Sequence, residues 1–447
     1  MEARAWASRY AAAADTAATK IALARERREL VACGLTTNVD RVAALTDELL
    51  ARLLGERRLS IDGPRVTRVG SVEALLTAVA QCVAAGEGTD LPVAEPAVQA
   101  WLLERVEGRV DVGGTGAQAA VTLARLGMGA LLHTTGRSAE QVGAVSGAGR
   151  VLVATDGGLR PIGEAIERGD PTMWHVVLEY QAGLLVRVDG REMIAPQANR
   201  VIVSGDPVNA ALAIDPRFVA AVADLANGVR RVLISGFSQV IDPGELRRVV
   251  AETAEAIRRW RAARPEISIH LELGAMPETG MLSGVVEALG GRVDGIGCNR
   301  DELREVLAGW GIASGERPEE LVAGLATMRR RVPARRVSVH AREVCLTLTD
   351  GDPEAERDAL LFGSLVATTR ARLGTFPTLA DLAETLETGE SPRVGVEALA
   401  GMGLDGGIGR CGAGWLVGVP AMPLREPAAT VGLGDSFTAG VMVSGEC

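Results

Sequence analysis

The chain is almost without lysine: Lys20 stands alone among 47 basic residues. Any site that binds an anion must therefore use arginine or backbone N–H groups. Histidine is nearly as scarce, at four residues, which argues against a histidine-rich metal site. The cysteines Cys33, Cys82, Cys298, Cys345, Cys411 and Cys447 show no C-x-x-C pair and no metal-ligand spacing. They are expected to be reduced and mostly buried, as in a cytoplasmic protein. There is no run of about twenty uncharged apolar residues, so no membrane span is expected. Basic blocks are missing too, and a formal charge of −10 argues against a nucleic-acid surface. The Ala-rich start carries Glu2, Arg4, Arg9, Asp15 and Lys20, which breaks a signal-peptide core. It reads instead as a surface amphipathic helix over 1–24.

What is present fits a globular α/β protein: 447 residues, 47% apolar, with 54 glycines for tight turns. That length implies two units, or one large unit with a lid. Short apolar runs at 30–35, 131–136, 151–154, 232–237, 267–272 and 295–299 alternate with helical patterns. The order predicts a doubly wound, mostly parallel sheet with helices on both faces. His175–Tyr180 and Leu184–Val188 break the alternation and read as an antiparallel pair, suggesting an inserted lid. Residues 45–110 read mostly as helices, with a loop at 86–92, and the Gly-rich run 401–418 as a loop with one short strand. The expected division is a large unit (25–44, 112–170 and 205–447) and a small lid (45–111 and 171–204).

The chemistry concentrates near the end of the chain. Gly432-Leu433-Gly434-Asp435 is a glycine turn followed by an acid and then by small or apolar residues in a helical run. Such a turn aims backbone N–H groups at one point on the positive end of a helix dipole, where an anion is stabilised without a side chain. Asp435 beside it is placed to accept a proton from an attacking hydroxyl. An ordinary capped helix start has the same residues. Glu272 and Glu302 also fall at expected strand ends, which share one edge in a doubly wound sheet. Two such carboxylates suit Mg²⁺ with phosphate oxygens and water. Each acid alone is equally compatible with a solvated cap. Asn38 and Asp40, in an expected polar loop before a helix, suit sugar hydroxyls or a plain Asx turn. The small residues Gly113 and Gly114, just before Gln118, let a ligand or a neighbouring backbone approach closely.

Six segments in order resemble the ADP-dependent sugar kinases of glucokinase and phosphofructokinase type, a ribokinase-like branch. They are Thr37-Asn38-Val39-Asp40, Gly113 to Gln118, Asn199-Arg200-Val201-Ile202, His270-Leu271-Glu272 (H-x-E), Asn299 to Glu302 (N-x-x-E) and Thr430 to Asp435 (G-x-G-D). The resemblance implies a large ribokinase-like α/β unit with a smaller α/β lid, and transfer of a phosphoryl group from ADP to a sugar-like hydroxyl. It assigns Asp435 as base, Gly432, Leu433 and Gly434 as anion hole, and Glu272 and Glu302 to Mg²⁺. The acceptor falls to Asn38, Asp40, Asp90, Gly113, Gly114 and Gln118; Arg200, Asn299 and His340 fall on the nucleotide side. Three departures stand out. Asp90 replaces an expected glutamate, Val112 precedes the glycine pair, and no lysine is available for a sugar phosphate, which leaves Arg187 or Arg191 or neither. The acceptor therefore stays open among glucose, fructose 6-phosphate, a nucleoside and an unusual sugar. An ATP-dependent relative and a non-catalytic binding protein remain as alternatives, and a monomer or small homo-oligomer is expected.

Overall fold

The computed structural model describes residues 2–55, 57, 59–66, 69–276, 278–315, 317–390, 392–404, 406–424 and 427–445. Among them, an eleven-stranded sheet forms the large unit. Its seven central strands run parallel in the spatial order Arg336–His340, Gly295–Asn299, Ser268–Glu272, Val229–Ile234, Leu30–Cys33, Gly129–Leu132 and Val151–Thr155. Antiparallel strands extend both edges. Parallel strands covered on both faces read as unbroken apolar runs, and Leu30-Val31-Ala32-Cys33 is fully buried. The connecting helices start where the sequence offers caps. Asp242 accepts the backbone N–H groups of Gly244 and Glu245, and Pro243 occupies the first position of helix Pro243–Ala263.

The small unit is a five-stranded sheet in the order Thr89–Pro92, Asn199–Ser204, Trp174–Tyr180, Asn38–Ala44 and Arg109–Gly113. Its apolar face packs Val176, Leu178, Val201 and Val203 with Leu50, Leu53, Leu76 and Val79, forming a second core apart from the first. Side chains alternate across a strand, so the opposite face carries Asn38, Asp40, Asp111, His175, Glu179, Arg200 and Ser204. That polar face meets the large unit: Gln239 donates to Asp90 at 3.2 Å and Thr430 donates to Glu179 at 3.4 Å.

Several expectations are corrected by these pairings. Residues 38–44, expected in the large unit as a loop and helix, form a strand of the small sheet between Trp174–Tyr180 and Arg109–Gly113. Val39 to Ala44 carries no clear alternation, and pairing with a strand on each side overrides the helical reading. His175–Tyr180 and Leu185–Val188 do not pair with each other. The first joins two separate strands, and the second forms its own ribbon with Arg191–Ile194. The 86–92 loop contains the edge strand Thr89–Pro92, and the 401–418 run holds a hairpin of Ile408–Cys411 with Gly414–Pro420. The first helix spans Glu2–Glu26 and buries Trp6, Tyr10, Ala13 and Ala17, with the Tyr10 hydroxyl at hydrogen-bond distance from Ser364 and Pro420. Cys33, Cys82, Cys298 and Cys345 are buried free thiols and Cys411 is half-buried, while Cys447 lies outside the described residues. No helix among the described residues is long and apolar enough to cross a membrane.

Candidate active site

The sequence candidates fall into two groups along the carboxyl edge of the large sheet. The first surrounds Glu272. This carboxylate is buried at the end of strand Ser268–Glu272, with His270 Nε2 at 3.0 Å, His340 Nε2 at 3.2 Å and the donating Thr438 hydroxyl at 3.0 Å. Burial raises its proton affinity, but the hydrogen bonds from His270 and His340 outweigh that and hold the carboxyl at about 2. Burial pushes His270 below its ordinary value, so its ring is neutral and donates through Nε2. His340 lies between Glu272 and the Gly434 turn, against the Phe437 ring, with its Nε2 facing the carboxylate.

Glu302 belongs to a capping box. Asn299 N–H and Nδ2 each donate to it at 2.8 Å, while the Glu302 N–H donates to Asn299 Oδ1 at 2.9 Å. Burial lifts its carboxyl well above the usual range, and Glu272, Glu305 and Asp435 add to the rise. Asn299 thus holds Glu302 at the start of helix Arg300–Gly309.

The second group assembles around Asp435. Helix Leu433–Ser444 begins at Gly432, which has φ of +73°, and a Cβ there would lie 1.7 Å from Gln118 Oε1. Only glycine fits both the left-handed backbone and the close approach of that side chain. Asp435 in the first turn is half-buried. Burial and Glu272 lift its carboxyl to about 6 against the lowering effects of Thr115, His340 and Arg370. Across the cleft, Asn38 Nδ2 donates to Asp40 Oδ1 at 2.6 Å, and a Cβ on Gly113 would strike both at 2.0 and 2.2 Å. Gly113 and Gly114 thus leave room for the Asn38–Asp40 pair, while Gln118 packs against the Gly432 turn. Burial lifts Asp40 to about 7; His175 opposes the rise, and Asp111, Asp90 and Asp435 add to it. Arg200 feels Glu179, Asp435, Asp90 and Asp40, and its buried Nε has no partner.

A cleft of about 370 Å³ opens beside this group, between the small sheet and the loops after strands Val229–Ile234 and Ser268–Glu272. Asp90, Ser204, Asp206, Ser238, Gln239 and Met276 are among its lining residues. Asp90 accepts from Ser204 at 2.8 Å and from Gln239, so it ties the two units together. Arg187 and Arg191 are exposed on the ribbon and pair with Glu192 and Asp62, both at 2.7 Å, away from the cleft.

Sequence reasoning missed Arg370, Asp111, His175 and Glu179. Asp111 and Glu179 carry the alternation of their strands, a usable signal once those strands are recognised. Arg370 offers none, because a basic residue in the last turn of a helix is ordinary.

The parallel sheet, the glycine turn with its acid at the carboxyl edge, and a second sheet laid across that edge define a ribokinase-like phosphotransferase. The sequence pattern of the ADP-specific phosphofructokinase/glucokinase conserved region matches residues 29–444. The chain belongs to that family, whose members phosphorylate alcohol groups of sugars. It is 26% identical, over 91% of both chains, to the ADP-specific phosphofructokinase of Methanosarcina acetivorans. It is 25% identical, over 91% of this chain and 92% of the other, to the ADP-dependent glucose/glucosamine kinase of Pyrococcus abyssi. Among solved structures, the last common ancestor of ADP-dependent phosphofructokinases from Methanosarcinales superposes with a TM-score of 0.78, at 19% identity over 99% and 98% of the two chains. An ADP-dependent kinase in complex with fructose-6-phosphate and ADPβS gives a TM-score of 0.80 at 18% identity over 98% and 97%.

Proposed function

We propose that this protein transfers the terminal phosphoryl group of ADP to a hydroxyl of an unphosphorylated sugar. Asp435 takes the hydroxyl proton, and the backbone N–H groups of the 432–435 turn hold the phosphoryl oxygens. The half-buried setting that lifts Asp435 to about 6 keeps it ionised at neutral pH yet basic enough to accept a proton. Asn38 and Asp40 hold the acceptor, and closure of the small unit excludes water that would otherwise hydrolyse the donor.

Mg²⁺ fits at Glu302. Its buried carboxyl is crowded by Glu272, Glu305 and Asp435, a repulsion that a cation relieves. Glu272 already accepts from three partners and is the poorer direct ligand. That suits Mg²⁺ on one carboxylate, phosphate oxygens and water. When bound, the ion neutralises the donor's phosphates.

One observation carries the choice of acceptor: the cleft that adjoins the site at Asp90, the one acceptor candidate among its lining residues, has carboxylates, hydroxyls and an amide and, among the described residues, no arginine or lysine. A sugar phosphate placed there would leave its charge unpaired, whereas hydroxyls are well matched. The two arginines that the sequence offered for a phosphate are paired elsewhere. The test is turnover with Mg²⁺ from ADP or ATP onto glucose, glucosamine, fructose 6-phosphate, ribose and nucleosides. Transfer from ADP to an unphosphorylated sugar, well above fructose 6-phosphate, is expected. A clear preference for fructose 6-phosphate, or for ATP, overturns the reading.

A further inference from the structure

We propose that Arg370 grips the β-phosphoryl group of ADP, as a second guanidinium at the transfer site beside Arg200. This rests on the donor reading above.

Arg370 lies in the last turn of helix Pro353–Leu373, an element that carries none of the sequence motifs. Its side chain is 2% exposed, and the guanidinium stacks 3.5 Å from the centroid of the Phe376 ring. One nitrogen, Nη2, lies 3.6 Å from Asp111 Oδ2. Nε and Nη1 are buried and have no hydrogen-bond partner. A buried cation with two unpartnered donor nitrogens is costly, and an anion that accepts from both lowers the cost.

The position of those donors says which anion. Asp111 stands directly opposite Asp40 on the neighbouring antiparallel strand, so Arg370 reaches the strand pair that holds the acceptor. Helix Pro353–Leu373 packs along helix Leu433–Ser444, which carries Asp435 in its first turn, and Arg370 feels the charges of Asp435 and Asp40 as well as that of Asp111. It is thus near both the residue that takes the proton and the strand pair that holds the acceptor. Phosphoryl transfer spreads negative charge over three equatorial oxygens, and a planar two-donor fork meets such oxygens well. The chain has no lysine free for this task, because Lys20 donates to the Ser444 carbonyl on the far side of helix Leu433–Ser444. Phe376 fixes the plane of the fork, and Asp111 fixes its outer edge.

The test compares ADP with AMP, which lacks the β-phosphate, by calorimetric titration of the full chain, together with ADP turnover. R370Q is expected to weaken ADP about 10-fold or more while AMP affinity changes by less than about 3-fold, and to lower turnover about 100-fold. R370K, which keeps the charge and loses the fork, is expected to fall between R370Q and the wild type. D111N, which frees the outer edge of the fork but keeps its donors, is expected to weaken ADP by clearly less than R370Q does. Equal losses of ADP and AMP in R370Q and R370K, or D111N matching R370Q, would show that Arg370 only pins the two sheets together. ADP binding unchanged in both Arg370 variants also overturns the proposal. These titrations do not depend on which acceptor is used, so failure of the acceptor reading leaves this result standing.

Discussion

Two buried acidic corners share one sheet edge and have opposite characters. Around Glu272 every oxygen is met: two histidines and a threonine donate to one carboxylate, which is held at about 2. Around Asp40 and Asp435 the account does not close. Both carboxyls are lifted, to about 7 and about 6, and Arg200 and Arg370 keep buried N–H groups without partners. In the first corner the carboxylate is fully met, although the buried His270 Nδ1 has no partner. The second is poised at an energetic cost, and such cost persists where a ligand relieves it.

Substitutions separate the two corners. Apart from loss of the base itself, the largest effect is expected from Gly432→Ala, which drives a Cβ into Gln118 and forces a left-handed backbone on alanine. Turnover should fall by at least about 100-fold and thermal stability should drop by about 1–3 kcal/mol. Glu272→Gln removes the charge that three donors were built to meet, and should cost about 2–3 kcal/mol of stability in a melting experiment. A wild-type melting temperature in that variant would erase the distinction between the corners.

Asp40→Asn should do the reverse. Its folded-state value of about 7 lies above the ordinary 3.8, so the native protein binds a proton that the unfolded chain has released. The stability linked to Asp40 is thus greatest below about pH 4 and declines as pH rises to about 7. The asparagine variant should be more stable than wild type at pH 8, on the order of 1–2 kcal/mol, and should flatten that part of the profile while losing acceptor affinity. Glu272 has the opposite sign: its contribution is complete above about pH 4.5 and is lost as pH falls toward about 2. The smallest effects belong to Arg187→Gln and Arg191→Gln, whose exposed pairs lie outside both corners. Stability and turnover should stay within about 0.5 kcal/mol and about 2-fold. A marked loss with a phosphorylated acceptor would return these arginines to the site.

The same contrast explains what was legible in the sequence. The H-x-E residues and the Gly432–Asp435 turn are short local patterns, whereas His340 and Thr438 reach Glu272 from distant segments and no local pattern announced them. The parallel strands were equally visible, because burial on both faces leaves unbroken apolar runs such as Val232-Leu233-Ile234. The small sheet was obscured because its strands come from five distant segments and alternate apolar with polar residues. Asn38–Ala44 fits a helix-leading loop as readily as a strand until Trp174–Tyr180 lies beside it. Long-range pairing decided those segments, and with them the placement of Asp111, His175 and Glu179. Arg370 was invisible for the same reason: its role depends on a carboxylate 259 positions earlier, at Asp111, reached only in the folded chain.

The most direct test of the account is Asp435→Asn, measured for ADP turnover and ADP affinity on the same preparation. Turnover is expected to fall by about 10³-fold or more, with ADP affinity equal to or tighter than wild type once the half-buried negative charge is gone. Turnover within about 3-fold of wild type would contradict it, and would move the base, and with it the reactive corner, to another residue.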